Sequence, residues 1–131
     1  MLRKRRRKSR RAKRGKFLSA KMNVEMTYRS SWELAYFRYL DNCDNVKAFW
    51  SESLKIEYVT NIKTKKTRNY IPDLLIEYND GTKQLVEIKP KSKLRQRINL
   101  KKFKAAERWS EEKGLKFILI TEVDLKELGL L

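Results

Sequence analysis

The chain has no histidine and a single cysteine, Cys43, among its 131 residues. Without histidine there is no Ser-His-Asp or Cys-His catalysis and no imidazole-based nuclease chemistry. One cysteine cannot close an internal disulfide, and a Cys/His zinc site lacks its ligands. Cys43 is read as a packing residue. Any metal would therefore sit on oxygen donors, which suits Mg²⁺, Mn²⁺ or Ca²⁺. No apolar run is long enough to span a bilayer, and the N-terminal stretch has no apolar segment of the signal-peptide kind. The expectation is a protein without a membrane partner, working in a reducing compartment or carried out of one. Acidic residues are scarce as well, 16 against 33 Lys+Arg, for a net charge of +17.

That imbalance is concentrated at one end. Residues 1–16 hold eleven cations (Arg3, Lys4, Arg5, Arg6, Arg7, Lys8, Arg10, Arg11, Lys13, Arg14, Lys16) and no acid. Setting them aside leaves 22 basic and 16 acidic residues, or +6, over residues 17–131. The chain thus divides into a basic arm, 1–16, expected to be disordered because it has almost nothing to bury, and one domain, 17–131, large enough for a core. The arm reads either as a solvated tail or nuclear-localisation signal, or as a phosphate-binding segment, polyanions being its natural partner.

Periodicity predicts a helix over 31–40, where Trp32, Tyr36 and Tyr39 recur at helical spacing behind a possible Ser30 N-cap. Residues 54–58 alternate as a strand. Residues 61–69 are polar and lysine-rich, expected as a loop or hairpin turn. Two strands follow over 70–78 and 83–89, then a basic irregular stretch over 91–97. A second helix is expected over 98–113 with Gly114 as its stop, a strand over 116–120, and a last short helix capped by Thr121 and Asp124. The order α-β-β-β-α-β-α, without internal repeat, suggests an α/β (α+β) domain with a mixed sheet flanked by helices.

The chemistry concentrates in Pro72-Asp73 and Glu87-Ile88-Lys89. On a strand Glu87 and Lys89 share one face while Val86 and Ile88 share the other, and Leu74, Ile76 and Tyr78 lie opposite Asp73. One face of the hairpin is therefore expected to be core and the other charged. Asn79-Asp80-Gly81 suits a three-residue loop with Gly81 left-handed, which pairs Tyr78 with Thr82. Kept in step, that register sets Asp73 opposite Glu87, with Cβ atoms about 5 Å apart. Two carboxylates so placed repel unless a proton or cation lies between them. A two-residue loop would instead turn Glu87 away. The competing reading is a surface Glu87–Lys89 ion pair worth under about 1 kcal/mol.

These residues resemble a PD-(D/E)xK nuclease, with Glu33 on the first helix as a preceding acid. The chain is more specifically similar to the head-completion nucleases of T4-type tailed phages. The match rests on Tyr28-Arg29-Ser30-Ser31-Trp32-Glu33, Tyr70-Ile71-Pro72-Asp73 and Val86-Glu87-Ile88-Lys89-Pro90-Lys91. It continues through Asn99, Lys102, Ala105-Ala106, Gly114, Phe117 and Leu119-Ile120-Thr121-Glu122, and so covers nearly all of residues 28–122. Transposon-end nucleases of Tn7 type share that core and are the nearest rival.

The resemblance implies a restriction-endonuclease-like fold and Mg²⁺-dependent DNA cleavage, with Mn²⁺ as a substitute, leaving 5′-phosphate and 3′-hydroxyl ends. It implies metal ligation by Asp73, Glu87 and the Ile88 carbonyl, with Lys89 beside the attacking water. Glu33 would complete the acidic cluster, although Ser30-x-x-Glu33 is equally a capping box. Arg29, Arg68 and the run Lys91, Lys93, Arg95, Arg97, Lys101, Lys102 fit backbone contacts to DNA or, as plainly, a solvated basic face. The expected setting is the host cytoplasm during phage assembly, with the virion head or neck as a second location and portal or neck proteins as partners. The alternatives are a structural head-completion protein with little nuclease activity and a basic nucleic-acid-binding protein of ribosomal type. The latter has no use for paired carboxylates near phosphate.

Overall fold

In a computed structural model, which describes residues 14–131, two strands come first: β1 (Gly15–Ser19) and β2 (Val24–Tyr28). Helix α1 (Ser31–Asp41) follows, then β3 (Val46–Ser51), β4 (Ile56–Asn61), β5 (Lys66–Tyr70), β6 (Leu74–Tyr78) and β7 (Lys83–Ile88). A short 3-10 turn (Lys91–Lys93) leads into α2 (Arg97–Lys113), β8 (Lys116–Ile120) and α3 (Glu122–Glu127). The central sheet has the order β3-β6-β7-β8, antiparallel except for the parallel β7–β8 pair, with α2 as its crossover. β1–β2 and β4–β5 form separate antiparallel hairpins.

Alternation along β6 and β7 sends neighbouring residues to opposite layers. Leu74, Ile76, Val86 and Ile88 join Phe37 and Leu40 of α1, Phe49 of β3 and Leu125 of α3 in one core. Leu85 joins Ile56, Tyr58, Tyr70 and Ala106 in a second core, with Leu75, Trp109 and Phe117 packed at its margin. Complete burial of side chains such as Phe37, Phe49 and Leu85 contributes about 1.5–3 kcal/mol each. The middle of the face expected to carry charge is therefore apolar, Leu75 and Leu85 being covered by α2 and the β4–β5 hairpin, and its charge lies at the two ends, Glu77 and Lys83 at one and Asp73, Glu87 and Lys89 at the other.

The helices and β8 follow the expected spans closely. Ser30 caps α1 by accepting the Glu33 amide at 3.1 Å, Gly114 ends α2 in the left-handed region at φ 75°, and Thr121 with Asp124 forms a capping box. The central hairpin has the expected loop: Gly81 lies at φ 88°, Tyr78 N–H donates to Thr82 O at 2.9 Å, and Leu74 faces Val86.

Other expectations are corrected. Residues 15–28 and 46–51, where no element was anticipated, form β1–β2 and β3. The stretch 61–69 is not all loop, since Lys66 onward is β5. The strand expected over 70–78 is two strands, interrupted at 71–73, where Pro72 is buried and has no N–H for a ladder bond. Of the basic arm expected over 1–16, residues 1–13 lie outside the described residues, while Gly15 and Lys16 already belong to β1. Asp41 at the end of α1 ties down the β1–β2 turn, accepting the Ala20 amide at 2.9 Å and the Ser19 hydroxyl at 2.5 Å.

Candidate active site

The break at 71–73 positions the first acid. Asp73 lies just outside the ladder, one residue before the Leu74–Val86 pair, and Glu87 lies one residue beyond that pair on β7. Asp73 Oδ2 accepts the Ile88 amide at 2.7 Å, and its own amide donates to Glu87 Oε1 at 3.3 Å. Its carbonyl accepts the Glu52 amide at 3.0 Å, just past β3. Two strands thus hold the Asp73 backbone. Glu87 is 5% exposed, and Lys89 Nζ stands 3.3 Å from its Oε2, so the pair is not a surface ion pair. The Tyr70 hydroxyl donates to Glu87 Oε1 at 2.8 Å, fixing the carboxylate from the side of β5.

Glu33 enters from the first turn of α1. It is buried, and its Oε1 accepts the Arg29 amide at 2.9 Å while its own amide donates to Ser30. That is capping duty at the helix start, one residue further out than the usual box. Glu33 therefore caps α1, and it also lines the cavity shared by Asp73 and Glu87.

The cavity holds about 630 Å³ and is lined by Glu33, Asp73, Glu87, Ile88 and Lys89, with Arg14, Arg29, Trp32, Asn69, Tyr70 and Lys102 among its walls. Its floor is acidic and its rim cationic. Burial holds the Asp73 carboxyl well above the usual carboxylate range; repulsion from Glu87 and then Glu33 adds to this, against the Ile88 amide and Lys89. Burial also raises Glu33, opposed by the Arg29 amide and guanidinium and reinforced by Glu52 and Glu87. Burial together with Glu87 pushes the Tyr70 phenol far above its ordinary range, so it remains a donor.

Among the described residues, no three Asp, Glu, Cys or His side chains stand ready in a metal-holding arrangement. Each acid is turned toward protein donors. The donor set nonetheless suits a hard cation: two buried carboxylates that repel, a third acid on the same cavity, and no sulfur or imidazole.

The cations expected at DNA separate by position. Arg29 is on the rim, ion-paired with Glu52. Lys91, Lys93, Arg95 and Arg97 are exposed in and after the 3-10 turn, whose start is pinned by the Lys91 amide donating to Glu122 Oε1 at 2.8 Å. Arg68 is exposed on β5. Lys101 turns away and donates to the Thr60 carbonyl at 2.7 Å, bracing α2 against β4. Its neighbour Lys102 lines the cavity, 5.7 Å from the centre of the Tyr70 ring. Sequence reasoning gives Tyr70 no role at the site, because no spacing along one strand joins it to Glu87; the link crosses the break at 71–73.

A family model described as the TnsA-like endonuclease N-terminal domain matches residues 43–122, which include Asp73, Glu87, Ile88 and Lys89 and begin after Glu33. The head completion nuclease of Enterobacteria phage T4 is 32% identical over 127 residues, covering 80% of this chain and 84% of that protein.

Proposed function

Because this chain belongs to the TnsA-like endonuclease family, we propose that it hydrolyses DNA phosphodiester bonds with a divalent cation, Mg²⁺ or Mn²⁺, during completion of a tailed-phage head. The observation that carries the reading is Asp73 beside Glu87, both buried and joined by the Asp73 amide donating to Glu87 Oε1 at 3.3 Å, with Lys89 at 3.3 Å from Glu87 in a cavity also lined by cations. The phage setting rests on the likeness to the T4 protein.

Asp73, Glu87 and the Ile88 carbonyl would hold the cation, with Glu33 as a further acid. When bound, such an ion polarises a phosphoryl oxygen and makes water acidic enough to attack near neutral pH. Lys89 orients the attacking water and offsets charge building on the phosphate. Tyr70 keeps Glu87 turned toward the cavity. Arg14, Arg29 and Lys102 at the rim attract the polyanion toward the acidic floor. No side-chain nucleophile is required, in keeping with a chain that lacks histidine. The host cytoplasm during assembly is the proposed setting, with the head or neck of the virion and its portal proteins as later surroundings.

The test is cleavage of linear, circular and branched DNA with Mg²⁺ against chelator. Cutting should need the cation and fall to background in Asp73→Ala, Glu87→Ala and Lys89→Ala, each still folded by circular dichroism. Three variants that cut like the parent would refute the assignment.

A further inference from the structure

The β4–β5 hairpin stands apart from the other strands. Among the described residues it pairs with no other strand, and residues 61–69 are exposed throughout. Residues 58–72 contain no acid, while Lys63, Lys65, Lys66 and Arg68 crowd the outer half. Ile62 at the tip is 85% exposed, a large apolar side chain set among cations.

The hairpin is nevertheless firmly built. Asn61 Oδ1 accepts the amides of Lys63 and Thr64 at 2.9 and 3.1 Å, shaping the tip, and Lys101 braces β4 at Thr60. At its base, Asn69 and Tyr70 form part of the cavity wall, and Tyr70 holds Glu87. A braced ribbon therefore runs outward from the cavity, with its acid, Glu57, at the base beside Asn69 and none beyond it.

We propose that this hairpin is a second DNA contact, entering a groove of the duplex beyond the cut site with Ile62 against the groove wall and Lys63, Lys65 and Lys66 on the flanking phosphates. The inference rests on the nuclease reading. A two-stranded ribbon fits the major groove, and each exposed lysine can neutralise one phosphate. The five residues Lys66–Tyr70 span about 16 Å at strand spacing, which places the tip about five base pairs from the cavity. An acidic protein surface would also attract the lysines, but it offers no slot for a narrow ribbon with one apolar tip.

Binding of the full chain to a duplex long enough to pass both cavity and tip is measured by fluorescence anisotropy in chelator over a salt series. Combining Lys63→Gln, Lys65→Gln and Lys66→Gln should weaken binding by about tenfold or more and lower the log–log salt slope by about two to three. The corresponding triple Lys→Arg variant should restore both. Ile62→Ser should weaken binding about three- to tenfold and leave the slope as it was, since it removes apolar contact and no charge. An unchanged slope in the Gln variant overturns the proposal, and parent-like affinity of Ile62→Ser overturns groove entry. Failure of the nuclease reading would show separately, as a parent chain that cuts no DNA with any divalent cation.

Discussion

Burial beside Glu87 makes ionisation of Asp73 unfavourable, and no protein cation fully compensates, because Lys89 is drawn to Glu87. The sign of the pH effect follows. A carboxyl raised in the folded state lends stability at pH values below its ordinary range, and that contribution is lost as pH rises through the raised value. Without divalent cation, Asp73→Asn should melt a few degrees above the parent at pH 8, the size expected for about 1 kcal/mol, and the gap should close toward pH 4. Adding Mg²⁺ should raise the parent's Tm more than the variant's. A variant less stable than the parent at pH 8 would show that the two acids are not in conflict. Tyr70 tests the same site from its other side: its hydroxyl is Glu87's neutral anchor at 2.8 Å. Tyr70→Phe should lower cleavage, or the affinity for the activating cation, by about ten- to a hundredfold with little change in KM for DNA. Parent-like titration with Mg²⁺ would leave the phenol a packing group only.

Glu33 of α1 caps the helix and lines the cavity, and a single substitution separates capping from the proposed part in cleavage. Glu33→Gln keeps an oxygen to accept the Arg29 amide but removes the charge that faces Glu87. Thermal stability should hold or rise slightly while cleavage falls; full activity at unchanged Tm would assign Glu33 to capping alone. The central hairpin shows what sequence can carry at this scale. Its register was readable because Asn79-Asp80-Gly81 is a local signal: Gly81 supplies the positive φ, and every pairing down to Leu74–Val86 follows from it. The interruption before Asp73 was less visible, although Pro72 marked it. β3 escaped because its pairing with β6 shifts between Val46 and Ala48, blurring the alternation, and β1 because its residues adjoin the cation run. The second core on the Glu87 face was not legible, since it forms only when α2 and the β4–β5 hairpin pack over Leu85, which the alternation of β7 itself does not encode. Tyr70 depends on that same packing, so its role stayed hidden with it.

At the scale of the molecule, the cavity sits where three groups of cations can address one polyanion. The exposed 91–97 stretch follows β7, the β4–β5 hairpin extends from the cavity wall, and Arg14 lines the cavity immediately after the nine cations of residues 2–13. A basic segment attached at the rim acts at high effective concentration on any duplex the cavity holds, so its contribution lies mainly in affinity. Deleting residues 2–13 should therefore weaken DNA binding and reduce the salt slope by several units, by about 0.9 for each lost phosphate contact, while cleavage at saturating DNA persists. The deletion must stop there. Gly15 begins β1, and the turn of that hairpin is anchored on Asp41, so a longer truncation would disturb the packing of α1 that brings Glu33 to the site. A salt slope equal to the parent's would remove the segment from DNA binding. A loss of cleavage at saturating DNA, with Tm unchanged, would mean that it shapes the cavity as well as filling it with substrate.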